Sequence, residues 1–137
     1  MTSQDSVPLS FQRRVRLRAG NRCEYCGIPQ AGQEATFHVD HVQPRKSGGP
    51  TLLENLALAC VSCSLRKGAR SEARDPGTGE PAGVFNPRTQ RWEDHFELSA
   101  DFRISGTTPV GRASVELLKM NRAAAVEIRQ WVARRPE

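Results

Sequence analysis

Apolar positions in this chain fall into short runs with different spacings, separated by long polar stretches. Phe11, Val15 and Ala19 recur every fourth residue and mark one side of a helix. Ser10 is its expected N-cap, and Gly20 the expected left-handed residue that ends it. Arg13, Arg14, Arg16 and Arg18 cover the remaining surface, which suits either solvent or phosphates. Residues 36–42 alternate and are rich in β-formers, which predicts a strand. A loop over residues 44–50 contains Gly48-Gly49, a second apolar run covers 52–59, and a short helix is expected over 62–69. The order is strand, then strand or loop, then helix.

Residues 71–87 hold Asp75-Pro76-Gly77-Thr78-Gly79-Glu80-Pro81, a dense set of turn formers, and read as a surface loop. Residues 92–98 and 102–105 resemble two short strands, with His95 a packing or surface residue and Trp92, Phe102 and Trp131 the expected core. Thr108-Pro109 gives an N-cap with proline at the first helical position. Val110, Leu117, Ala124, Ile128 and Trp131 continue a helical stripe, interrupted by Asn121 as the cap of a second helix. The expected organisation is a disordered lead-in over residues 1–9, a metal-stapled core over 10–70, a loop over 71–87, and a strand–helix extension over 88–137 packed on the core.

Composition sharpens this outline. Aromatics make up 6% of the 137 residues and the mean hydropathy is -0.56, so the apolar core is modest. A stapling metal is useful in such a chain, because its binding free energy becomes folding free energy. The formal charge of +5 favours an anionic partner such as nucleic acid. No apolar run approaches a membrane span, and the first ten residues contain no secretory segment, so a cytoplasmic protein without a membrane partner is expected. In that reducing setting, paired cysteines read as metal ligands rather than disulfides.

Cys23/Cys26 and Cys60/Cys63 are two such pairs, each of the form Cys-x-x-Cys. Four thiolates on two turns supply what a tetrahedral structural Zn2+ requires. Between the pairs lies His38-Val39-Asp40-His41, which sets a carboxylate beside an imidazole as metal-assisted hydrolysis needs.

The succession Arg22-Cys23-Glu24-Tyr25-Cys26-Gly27, Val39-Asp40-His41-Val42, Pro44-Arg45, Gly48-Gly49-Pro50, Glu54-Asn55-Leu56 and Cys60-Val61-Ser62-Cys63 with Lys67 resembles the HNH endonuclease family. The resemblance spans residues 11–70. Phe85-Asn86-Pro87-Arg88, Trp92, His95-Phe96 and Met120-Asn121-Arg122 look like the tail of small bacterial HNH proteins, without assignable chemistry. The resemblance implies an α+β fold with a ββα-metal (His-Me finger) core, a structural zinc, and a C-terminal β-hairpin and helical segment. It implies hydrolysis of duplex DNA with one divalent ion, Mg2+ or Mn2+, and no small-molecule cofactor. On this pattern His41 is the general base, Asp40 holds the ion, and Asn55 orients the His41 ring. Arg45, Lys46, Arg66 and Lys67 are placed to meet phosphates. His38 shares a strand face with Asp40 and can bind the ion or the scissile phosphate.

One position departs from the family. The residue after the last cysteine, usually a His or Asn that completes the ion's ligands, is here Ser64. A hydroxyl is a weak neutral oxygen ligand, so Ser64 ligates weakly, water replaces it, or the site is inactive. The alternative function is therefore a catalytically degenerate HNH domain acting as a DNA-binding or protein-interaction zinc module.

Overall fold

In the computed structural model, which describes residues 7–134, helix α1 (Leu9–Arg18) opens the fold. Its N-cap is Pro8, whose extended dihedral angles turn the chain into the helix, so Ser10 lies inside the first turn instead of capping it. Val7, expected in the lead-in, is buried; residues 1–6 of that expected lead-in, like 135–137, lie outside the described residues. Gly20 follows the helix at φ +62, as expected. Val15 is fully buried beneath α1. The arginines do not simply coat the helix. Arg16 donates to the carbonyl of Phe37 at 3.0 Å, and Arg18 donates to those of Leu53 at 3.0 Å and Leu56 at 2.7 Å. These bonds rivet α1 to the strands, whereas Arg13 and Arg14 stay exposed.

Strand β1 (His38–His41) pairs antiparallel with β2 (Leu56–Ala59), with His38 opposite Ala59 and His41 opposite Leu56. Every residue of β2 is buried, while β1 alternates: Val39 and His41 face inward, His38 and Asp40 are half-buried. The connection contains two short helical turns, Arg45–Ser47 and Leu53–Asn55. Gly48-Gly49 has two separate reasons to be there. Gly48 adopts φ +87, and a Cβ on Gly49 would lie 1.8 Å from the carbonyl oxygen of Gln43. Helix α2 (Val61–Lys67) then begins directly at the second cysteine pair, with the Cys60 sulfur accepting from the Cys63 amide.

Residues 71–87 are more than a surface loop. β3 (Glu72–Arg74) pairs antiparallel with β4 (Pro81–Gly83), and the turn formers between them wrap the buried Asp75. The Asp75 carboxylate accepts from the Gly77 amide at 2.8 Å and the Thr78 hydroxyl at 3.0 Å. It also accepts two bonds, of 2.9 and 2.8 Å, from Arg112 of α3 (Pro109–Leu117). The expected strand over 92–98 begins as a helical turn, Trp92–Asp94, and only β5 (Phe96–Leu98) pairs with β6 (Ile104–Gly106). His95 packs locally, its Nδ1 2.7 Å from the Thr108 hydroxyl. Thr108 caps α3 through a bond from the Gly111 amide, as its sequence position predicts.

Val110, Leu117 and Ile128 of the expected stripe pack half-buried against the core, while Ala124 is exposed. The buried positions are Ala113, Ser114, Leu118, Met120, Ala125 and Arg129, while Trp131 is 53% exposed and leaves the core. Lys119 takes φ +47 between α3 and α4 (Ala123–Arg134). Asn121 caps neither helix there. Its side chain accepts from the Ile104 amide at 2.7 Å and donates to the Ile104 carbonyl at 2.8 Å, imitating a strand partner for β6. Both halves of the chain share one apolar core, in which Phe37, Val39, Leu56 and Leu58 belong with Phe85, Phe96, Leu118 and Met120. The result is an α+β fold with small antiparallel sheets. Among the described residues no helix is long and apolar enough to cross a membrane.

Candidate active site

The two Cys-x-x-Cys turns meet as their spacing predicts. The Sγ atoms of Cys23, Cys26, Cys60 and Cys63 lie within 4.8 Å of one another, and all four residues are buried. The Cys26 and Cys60 sulfurs are 3.7 Å apart, close to the roughly 3.8 Å that tetrahedral Zn–S bonds impose. Each pair folds as a knuckle in which the second amide donates to the first sulfur at 3.4 Å. Hydrogen bonds among the sulfurs, those of Cys23 foremost, bring the Cys60 thiol down to about 7 and hold Cys26 well below the ordinary value. Burial pushes Cys23 up. The donors and their spacing fit Zn2+.

Residues far along the chain complete this centre. Arg122 donates from Nη2 to Cys60 Sγ at 3.4 Å and lies 3.9 Å from Cys26 Sγ. Burial alone would lower the Arg122 pKa, but the charges of Cys26, Cys60 and Cys63 outweigh it and hold the guanidinium firmly protonated. Arg129 donates to the carbonyls of Cys26 at 3.0 Å and Phe102 at 2.8 Å. Glu24, inside the first knuckle, accepts from the Leu58 amide at 2.8 Å and pairs with Arg88. Trp92 donates to the Tyr25 carbonyl at 2.9 Å. Of the tail residues without assignable chemistry, Arg88, Trp92 and Arg122 therefore clamp the knuckles.

Between the knuckles, β1 presents its residues to two sides. His38 and Asp40 share the half-buried face, and from α2 the half-buried Ser64 places its hydroxyl 2.7 Å from His38 Nδ1. His41 points inward and is 4% exposed. Its Nε2 lies 2.7 Å from the Thr51 hydroxyl, and its Nδ1 is buried without a hydrogen-bond partner. Burial foremost, then the charge of Arg45, lowers the His41 pKa; Asp40 opposes them.

Asn55 is buried beside this ring but does not bond to it. Its Oδ1 accepts from the Gln43 amide at 2.9 Å, and its Nδ2 donates to the carbonyls of Gln43 at 3.1 Å and Pro50 at 2.9 Å. Asn55 thus closes the 43–50 loop, which delivers Thr51 to His41.

Residues 23–70 match the family model described as HNH endonuclease. This segment is similar to that family. The match begins at the first cysteine pair and ends just past α2, leaving residues 71–137 outside it. No curated protein and no solved structure gives a match. Proteins carrying HNH domains are usually nucleases that act on DNA, and the domain supports a nuclease or DNA-binding role here.

Within the matched segment, two expected roles need correction. Lys67 does not face a phosphate. It is 3% exposed, and its ammonium donates to the carbonyls of Val42 at 2.9 Å and His41 at 3.4 Å. Burial lowers its pKa against the opposing charge of Asp40. Asn55 makes no hydrogen bond to the His41 ring, because its amide is spent on loop backbone; the ring's hydrogen bond is to Thr51. Arg45, Lys46 and Arg66 are exposed, with Arg66 Nε 3.2 Å from the Ser62 hydroxyl. Thr51 and Arg122 are the residues that sequence reasoning missed. Thr51 follows directly on the Gly48-Gly49-Pro50 motif, and Arg122 lies within Met120-Asn121-Arg122, so position in the motifs was the available signal.

Proposed function

We propose that this chain is an endonuclease that hydrolyses phosphodiester bonds of duplex DNA with a single divalent ion and a histidine general base. In this reading β1, β2 and α2 form a ββα-metal unit, and Zn2+ at the four cysteines is its structural cofactor. The reading rests most on one observation: inside the matched HNH segment, Asp40 stands beside a His41 whose ring is anchored at one nitrogen and unpartnered at the other.

A phosphodiester is anionic and resists attack, so the site must activate water and balance charge growing on phosphate. His41 supplies the base. A proton on Nδ1 would be a buried N–H without an acceptor, so the neutral ring keeps its proton on Nε2, donating to Thr51, with the lone pair on Nδ1. Because Nδ1 is enclosed in the free protein, a local shift around the ring accompanies delivery of water. Asp40 and Ser64 are the proposed ligands of Mg2+ or Mn2+, whose charge would stabilise the phosphate as it is attacked; their oxygens suit such hard cations. Arg45, Lys46 and Arg66 bind flanking phosphates. A reducing, cytoplasmic setting fits four free thiols.

Incubation of the zinc-loaded protein with supercoiled plasmid and Mg2+ or Mn2+ tests the reading. Conversion to nicked or linear DNA, suppressed by EDTA, is expected. A second reading, a DNA-binding HNH module that does not cut, is kept by Ser64 standing where the family places His or Asn. Ser64→Asn separates the two: a large gain of metal-dependent cutting would mark the natural site as degenerate.

A further inference from the structure

The half-buried face of β1 carries a donor that the family pattern does not use. His38 sits beside Asp40 on that face, and its Nδ1 is 2.7 Å from the Ser64 hydroxyl. We propose that His38, through Nε2, is the second protein ligand of the catalytic cation, and that Ser64 is its positioning residue. This rests on the nuclease reading of the same site and changes its ligand set.

The two nitrogens of the ring have different surroundings. Metal-binding imidazoles almost always engage a hydrogen-bond partner with the nitrogen that does not bind the metal, which fixes both tautomer and ring orientation. Ser64 is such a partner for Nδ1, and Nε2 is thereby left as the coordinating atom. The serine hydroxyl is itself a poor ligand, being neutral and already engaged with the ring. A ligand position lost on α2 is in this way regained from β1, two residues before the carboxylate.

The alternation of β1 supports the same assignment. Val39 and His41 are turned into the core, so His38 and Asp40 are the polar side chains that the strand leaves partly open. Together they offer one carboxylate oxygen and one imidazole nitrogen. That mixed set favours first-row ions such as Mn2+, Co2+ or Ni2+, whereas Mg2+ prefers oxygen alone. The proposed enzyme should therefore prefer Mn2+ to Mg2+.

The test is a Mn2+ titration of the zinc-loaded protein, with free Mn2+ followed by electron paramagnetic resonance and zinc content measured in every variant. Wild type is expected to bind one Mn2+ per chain in addition to zinc. His38→Gln should weaken Mn2+ binding by at least about tenfold and Ser64→Ala by a smaller factor, as for loss of a ligand and of its supporting hydrogen bond. Mg2+ competition should change less in His38→Gln, so the preference for Mn2+ collapses. In wild type, bound Mn2+ should broaden the His38 ring resonances. His38→Asn serves the same purpose if the glutamine variant loses zinc. Unchanged Mn2+ binding in a folded His38 variant, with binding lost in Asp40→Asn, would overturn the proposal while leaving the nuclease reading intact. Absence of any Mn2+ site in wild type would overturn the proposal as well, and absent plasmid cleavage alongside it would remove the reading on which the proposal rests.

Discussion

Two contacts hold His41 in place: the Thr51 hydroxyl at Nε2, and the Lys67 ammonium on the carbonyl of His41 itself. Loss of the first should misorient the base without touching DNA affinity. Thr51→Val is expected to lower kcat about tenfold, the equivalent of about one hydrogen bond, with KM unchanged. Thr51→Ser should restore the rate, and single-turnover kinetics on plasmid will show whether it does. The pH dependence follows from the ring's surroundings. Burial and Arg45 lower the His41 pKa below its ordinary 6.5, against a smaller pull from Asp40, so the neutral base persists to lower pH. The acid limb of the kcat/KM profile should therefore fall below 6.5; a limb above it would contradict the assignment. Asp40 and His41 were legible in the sequence because they stand between paired cysteines. Thr51 was not, since a lone loop threonine has no periodicity and gains meaning only when Asn55 closes the loop around it.

At the scale of elements, β3, β4 and α3 are joined through Asp75, whose carboxylate is held well below the usual carboxylate range by the Arg112 guanidinium. A depressed carboxylate contributes stability above its unfolded pKa and loses it as pH falls through the folded one. Thermal stability of wild type should thus decline in acid below the ordinary carboxylate range. Asp75→Asn should melt lower at neutral pH and lack that part of the decline, so the two melting curves converge in acid. The strand and helix outline of the first half was readable from alternation and from the cysteine turns. The 71–87 hairpin was hidden for a physical reason: turn formers signal a change of direction, but not that the turn encloses a buried carboxylate paired with a residue 37 positions away. The same limit applies to α4. Its buried Arg129 breaks any apolar stripe, because its burial is sustained by carbonyls of Cys26 and Phe102 that no local pattern reveals.

Across the whole molecule, the four-cysteine centre joins the matched segment to the extension. Four thiolates around Zn2+ would leave the centre negatively charged, and Arg122 brings a half-buried cation to it from just ahead of α4. Arg122→Ala is expected to release zinc to a chromogenic chelator faster than wild type, and full chelation should loosen both halves, because they share one core. The exposed cations give a further expectation at this scale. DNA affinity should fall steeply with salt, and Arg66→Ala should reduce the slope by about one phosphate contact. Most direct for the central claim is a comparison of His41→Ala with wild type in plasmid cleavage, DNA affinity and zinc content, under the same Mg2+ or Mn2+ conditions. The variant is expected to bind DNA and zinc as wild type does but no longer to cut. Cleavage retained by the variant, or cleavage lost together with zinc or DNA binding, would contradict His41 as the general base.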